Sequence, residues 1–345
     1  MAKTEIGFGV VGAGMVARYH ATAIGRTPGA RLVAVCRDNA GRAAEAAAQF
    51  GVPCEPGLAA LLARPDVDAV CICTPSGRHA AQAIAAARAG KHVLVEKPMA
   101  LTLADADAMI AASRDHGVRL AVALQRRADP VFQSVRAAIE SGALGRLTLG
   151  AISVPYLRAQ SYYESAAWRG TWALDGGGAL MNQGIHLLDL LIWYMGDAIE
   201  AQASTATLAH TIEVEDCVSA TLRFEGGALG SVATTTAAAP GFPHRVEVYG
   251  DRGGVQIEGE QIVRWEVPGQ ELRVAHQEPG TISAGAGASP TGIGAVGHTR
   301  LLGDLVAALQ AGRAPLAPGE EGRRSLAAAL AIYESARSGR PVRVG

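Results

Sequence analysis

Aromatic side chains are scarce in this sequence: Phe, Tyr and Trp supply only 5% of its 345 residues. A core with few rings must be filled by small aliphatic groups, and the abundance of Ala suits helices packed closely on a sheet. Charge of one sign is missing as well. With 31 Lys and Arg against 32 Asp and Glu, the formal net charge is −1. No basic excess of the kind that holds nucleic acid or an anionic membrane is present. The five cysteines (Cys36, Cys54, Cys71, Cys73, Cys217) are odd in number and scattered. Cys36, Cys71 and Cys73 lie in apolar strand-like runs and read as small buried residues. Cys71 and Cys73 share a strand face, yet no second Cys/His pair completes a zinc site. No metal is expected, and the pattern indicates a reducing, cytoplasmic setting. Long hydrophobic runs are absent too, because His186 and Asp189 interrupt the best candidate; no membrane span is expected. The apolar stretch Ile6–Ala17 after Lys3 has a superficial likeness to a signal peptide, but Gly9, Gly12 and Gly14 fit a strand and tight turn better.

A chain of this length favours two domains, and the patterning divides it into 1–124 and 125–345. The first part alternates strand and helix signals. Strands are expected over Ile6–Val11, Arg31–Cys36, Ala69–Cys73, His92–Val95 and Arg119–Ala123, with helices over Met15–Thr27, Ala40–Phe50, Gly77–Ala89 and Leu103–His116. This alternation predicts an α/β fold with a parallel sheet covered on both faces. Beyond residue 125 come a helix over Pro130–Ser141, a strand over Arg146–Pro155, an aromatic stretch Tyr156–Trp172 and a helix over 180–195. From Ala198 to Val274 period-2 segments alternate with turn signals such as Glu225-Gly226-Gly227, which predicts an open, largely antiparallel sheet. Residues 279–297, rich in Gly, Ala and Ser, read as a loop. Two helices near 298–311 and 319–337 end the chain and are placed to pack back on the first domain.

Gly12-Ala13-Gly14-Met15-Val16-Ala17 follows the first strand and opens a helix, the setting of a dinucleotide fingerprint. Gly12 permits the tight turn, and Gly14 lets a pyrophosphate approach the backbone. Ala17 lets helix and strand pack closely, and the helix N-terminus stabilises negative charge. After the second strand come Arg37 and Asp38. Asp38 suits the ribose 2′-hydroxyl of NAD and Arg37 the 2′-phosphate of NADP; both readings stay open. Lys97 follows a buried strand and precedes Pro98, at the strand end where ligands bind in such sheets. On the 180–195 helix, Asn182, His186 and Asp189 share a face among apolar neighbours, and polar groups so placed need partners.

With these segments assembled, the chain resembles the Gfo/Idh/MocA family of nicotinamide-dependent oxidoreductases. The likeness rests on Gly12–Ala17, on Thr74-Pro75 with His79, and on Ala89 to Glu96-Lys97-Pro98. It extends through Gly176-Gly177-Gly178 to Gly184-Ile185-His186, and through Gly319 to Gly339. It implies a Rossmann domain, then an α/β domain whose open sheet carries oligomer contacts. It also implies hydride transfer between NAD or NADP and a secondary alcohol of a sugar, sugar derivative or cyclitol. Lys97's counterpart holds and polarises the reacting hydroxyl, and His186's counterpart accepts its proton. Asn182 stands where the family usually has an aspartate, so this chain lacks a charge there, and the missing negative neighbour should leave the His186 pKa lower. The expected cofactor contacts are Gly12, Gly14, Met15, Val16, Arg37, Asp38, Thr74, Pro75, His79, Glu96, Lys97, Gln125, Trp168 and Arg169. Glu96 is expected to orient its loop rather than react. The expected substrate wall comprises Lys97, Arg127, Tyr156, Arg158, Tyr162, Tyr163, Trp168, Arg169, Trp172, Asn182 and His186, since ring faces suit the C–H surface of sugars. Arg126, Arg127 and Arg158 are candidates to bind a carboxylate or phosphate. A homo-oligomer, dimer or tetramer, is expected. Two rival readings are an NAD-dependent glycoside hydrolase working by transient oxidation and a non-catalytic cofactor sensor.

Overall fold

The computed structural model describes residues 4–37, 39–272, 287 and 295–345. The chain forms two compact units, Met1–Ala128 with Gly294–Arg323, and Asp129–Ile293 with Arg324–Gly345. The stretch 279–297 lies outside the described residues except at Gly287 and 295–297, as does Asp38.

In the first unit the order is β1 (Ile6–Val11), α1 (Met15–Arg26), β2 (Ala30–Cys36), α2 (Ala43–Phe50), β3 (Cys54–Glu55), α3 (Leu58–Leu62), β4 (Ala69–Ile72), α4 (His79–Arg88), β5 (His92–Val95), α5 (Leu103–Asp115) and β6 (Leu120–Val122). The sheet runs β3-β2-β1-β4-β5-β6, and every pairing is parallel. Helices cover both faces, which is why β1 and β4 are apolar and buried along their whole length. The short β3 and α3 have no periodicity to announce them. The helix Val296–Ala311 packs on α1, where the His20 and His298 rings meet edge to face at 5.0 Å.

The second unit contains α6 (Pro130–Glu140), β7 (Leu147–Pro155), α7 (Gln160–Glu164), a π-helix (Ala179–Gly184), α8 (Ile185–Met195), β8 (Ala198–Ala206), β9 (Cys217–Phe224), β10 (Leu229–Thr235), β11 (Arg245–Gly250), β12 (Gly254–Glu258), β13 (Gln261–Glu266) and β14 (Val342–Arg343). Its sheet order is β13-β12-β11-β7-β10-β9-β8-β14. β7 and β10 pair in parallel, and the other pairings are antiparallel. Burial alternates strictly along β9 and β10; the buried face of the sheet packs on the π-helix at β9 and β10 and on α8 at β7 and β11, and the other face stays open. The C-terminal helix Gly319–Ser338 begins in the first unit and ends in the second. No helix among the described residues is long and apolar enough to cross a membrane.

Candidate active site

The dinucleotide end of the first unit is built by strand ends. Gly12 lies just beyond β1, with φ +100°, and a Cβ there would come within 2.9 Å of the Cys73 carbonyl oxygen. Its N–H donates to the Cys36 carbonyl (2.9 Å), which ties the turn to the end of β2. Only glycine satisfies both demands. Gly14 caps α1 without a side-chain hydrogen bond, and no acid occupies the helix's first turn. A Cβ on Gly14 would meet nothing within 4 Å. The open space, the unpaired first-turn N–H groups and the positive end of the helix dipole fit a pyrophosphate. Met15 and Val16 supply those first-turn amides. Arg37 donates to the Arg42 carbonyl (3.3 Å).

Thr74, Pro75 and Lys97 follow β4 and β5 on the same edge of the parallel sheet. Thr74 Oγ1 donates to Gln82 Oε1 (2.6 Å). The Lys97-Pro98 peptide is cis, and Lys97 is half-buried. His79, expected at the cofactor, is only 1% exposed. Its nitrogens contact the Thr74 and Pro98 carbonyls at 2.9 and 2.8 Å, so it braces the two loops from behind. Burial lowers its pKa against those carbonyl contacts. Gln125, half-buried, sits in the 3₁₀ turn after β6.

Glu96, expected to orient its loop, is bonded to it and to two histidines. Its Oε1 accepts from His20 Nε2 (2.7 Å) and lies 3.5 Å from His298 Nε2, while Oε2 accepts from the Lys97 N–H (3.2 Å). The side chains of Glu96, His20 and His298 are all buried. Burial alone would raise the Glu96 carboxyl, but hydrogen bonds from His20 and His298 outweigh it and hold it well below the usual range. Burial in turn lowers His20, against the pull of the Glu96 carboxylate, which favours its neutral form. The same three groups are spaced so that they could hold a metal ion. No spacing signal links residues 20, 96 and 298, so sequence reasoning missed the two histidines.

In the second unit the 180–195 helix departs from expectation. It opens as a π-helix and turns α only at Ile185. Glu215 holds that opening: its carboxylate accepts from the Gly178 N–H (2.8 Å), the Leu180 N–H (2.9 Å) and the Tyr333 hydroxyl (2.9 Å). A Cβ on Gly178 would sit 1.7 Å from the Glu215 carbonyl oxygen. Widened turns of this kind recur at functional sites. Asn182 Nδ2 donates to Asp175 Oδ1 (2.8 Å), and His186 is half-buried in the first α turn. Asp189 does not join them. It is 1% exposed and accepts from Ser325 Oγ (2.6 Å), anchoring the C-terminal helix.

The aromatic stretch assembles around two guanidiniums. Arg158, 4% exposed, lies 5.4 Å from the Tyr156 ring centroid and 5.8 Å from that of Tyr162. Arg169 stacks on Tyr162 (4.3 Å) and Trp168 (4.7 Å) and donates to the Tyr162 hydroxyl. Burial, with Arg169 adding repulsion, lowers the Arg158 pKa against the pull of the tyrosines. Tyr156 and Tyr163 are buried, bonded to His244 and Thr236, and so act as framework. Trp172 is 44% exposed and packs edge-on against Tyr333. Arg127, expected in the substrate wall, is instead a structural residue. At 1% exposure it pairs with Glu321 (2.8 Å) inside the first unit.

A 3-2-1-4-5-6 parallel sheet with a glycine turn opening α1 defines a dinucleotide-binding architecture. Residues 6–124 match the model of the oxidoreductase family with an NAD-binding Rossmann fold, and residues 132–256 match the GFO/IDH/MocA C-terminal domain. The chain belongs to the GFO/IDH/MocA family of NAD-binding oxidoreductases, an enzyme family of dehydrogenases. It is 33% identical to inositol 2-dehydrogenase of Rhizobium meliloti over 75% of this chain and 78% of that protein. It is 31% identical to 1,5-anhydro-D-fructose reductase of Ensifer adhaerens, over 98% of both chains. Among solved structures, the WlbA dehydrogenase of Bordetella pertussis, in complex with NADH and UDP-GlcNAcA, superposes with a TM-score of 0.86 at 36% identity over 99% of each chain.

Proposed function

We propose that this protein interconverts a secondary alcohol and a ketone on a sugar derivative or cyclitol. Bound NAD supplies the hydride acceptor or donor. Lys97 Nζ holds the reacting hydroxyl and lowers the cost of negative charge on its oxygen, and His186 takes the hydroxyl proton. Lys97's place directly after β5, on the edge of the sheet that carries Gly12 and Gly14, is the observation that carries this reading. Asn182 completes the acid/base set. Of the substrate contacts, Arg158 and Arg169 supply positive charge. Together with the WlbA likeness, this puts sugars bearing a carboxylate or a nucleotide first among substrates. The open sheet face supports assembly into a homo-oligomer, and the free cysteines support a reducing compartment.

The test is absorbance at the reduced-nicotinamide band, with NAD or NADP against sugars, sugar acids, nucleotide-linked sugars and inositols. A rise with one polyol class and NAD is the expected result. No change across the panel, with dinucleotide bound, sinks the dehydrogenase reading in favour of a hydrolase or sensor.

A further inference from the structure

We propose that His210 is a positioning residue: a doubly protonated imidazole that fixes the Arg158 main chain and so aims its guanidinium at an anionic group of the substrate, a role that rests on the reading of Arg158 as a substrate contact. His210 lies in the loop between β8 and β9, and its side chain is 5% exposed. Its Nδ1 lies 2.9 Å from Asp216 Oδ2 and its Nε2 2.7 Å from the Arg158 carbonyl oxygen. A carbonyl oxygen only accepts, and so does an ionised carboxylate. Burial would raise the Asp216 carboxyl, but the Leu208 and Ala209 N–H groups and His210 outweigh it and hold it below its ordinary value. Those two amides donate to it at 2.8 Å each, and the His210 N–H at 3.1 Å. Asp216 is therefore ionised and offers no proton. A neutral ring carries one N–H and would leave a lone pair facing one of these two oxygens. Both contacts are satisfied only when both nitrogens are protonated. Tyr163 of α7 closes one side of the ring, with centroids 4.9 Å apart.

The bonds close a circuit around Arg158. The Arg158 N–H donates to the Thr236 carbonyl (2.8 Å), and the Thr236 N–H to the Asp216 carbonyl (3.0 Å). The Asp216 carboxylate meets His210, and His210 returns to the Arg158 carbonyl. The peptide groups on both sides of the Arg158 Cα are thus tied to the residue before β9. The guanidinium, on a residue 4% exposed, has a fixed origin from which it reaches Tyr156 and Tyr162. A charged ring also donates more strongly than a neutral one, which suits the short bond to the Arg158 carbonyl.

Two substitutions separate the two bonds. A Gln amide reaches the position of Nε2 and keeps a donor to the Arg158 carbonyl, whereas an Asn amide reaches that of Nδ1 and keeps a donor to Asp216. Each variant loses one bond, so a ring that merely staples its loop predicts lowered melting temperatures and the same KM in both. On the sugar acid or nucleotide-linked sugar identified by the absorbance panel, His210→Asn is expected to raise KM about five- to tenfold with kcat near the parent's. His210→Gln is expected to keep KM within about twofold. The ring's protonation is read from ¹⁵N–¹H correlation spectra of the NAD-bound protein. One histidine with two ring N–H signals, lost in both variants, is the expected result. Should neither variant fold, the parent decides: no doubly protonated ring among its nine histidines overturns the proposal. An unchanged KM in Arg158→Ala sinks the reading of Arg158 as a substrate contact, and the positioning role with it. Equal KM in the two His210 variants, with KM raised in Arg158→Ala, sinks the positioning role alone.

Discussion

At the scale of single residues, the two proposed acid/base groups are separable from the groups that hold them. Lys97→Ala and His186→Ala are each expected to cut turnover by about 10²–10⁴-fold while NAD binding, followed by fluorescence titration, stays near the parent's. Near-normal turnover in both would remove the mechanism. Arg127 belongs to the other kind. Its guanidinium is 1% exposed against Glu321, whose side chain keeps 25% exposure. Glu321→Ala removes that carboxylate and is expected to cost roughly 2–4 kcal/mol, seen as a lowered melting temperature with kcat unchanged per folded molecule. The sequence could not separate Arg127 from Arg158, since the two differ only in which neighbours burial gives them.

Among the elements, the π-helix Ala179–Gly184 is the departure with the most consequence. Spacings of four and three in the sequence group Asn182, His186 and Asp189 on one face, as an unbroken α-helix would. Glu215, from the turn before β9, instead captures the N–H groups of Gly178 and Leu180, and Asp189 turns to Ser325. Gly178→Ala drives a Cβ to 1.7 Å from the Glu215 carbonyl oxygen, so the opening turn must move. The expected outcome is a loss of stability of about 2 kcal/mol or more and a loss of kcat well beyond it. A variant with parental melting temperature and kcat would show that the close packing of this turn is dispensable.

For the molecule as a whole, the buried Glu96 cluster ties folding of the first unit to pH. A carboxyl held below its unfolded value contributes stability above the unfolded pKa and loses it as pH falls through the depressed one. His20, lowered by burial, binds more protons unfolded than folded below about pH 6.5. Both signs agree: stability falls on acidification from neutrality, first through His20 and then through Glu96. Chemical denaturation of Glu96→Gln at a series of pH values should give a shallower acid slope than the parent. An equal or steeper slope would remove the cluster from the account.

The strand–helix alternation, the glycine turn, the Glu-Lys-Pro segment and the Gly-His segment were legible in the sequence by itself. Each is local: a period, a turn or a strand end is written in neighbouring residues and needs no knowledge of the rest of the fold. Tertiary structure alone decided the partners of buried polar groups. Glu96 with His298, Arg127 with Glu321, Glu215 with the π-helix and Asp175 with Asn182 join residues as far apart as 202 positions or as near as seven, with no period to mark them. The physical reason is that a buried charge or amide costs free energy unless a partner meets it, and which partner arrives depends on how the chain packs.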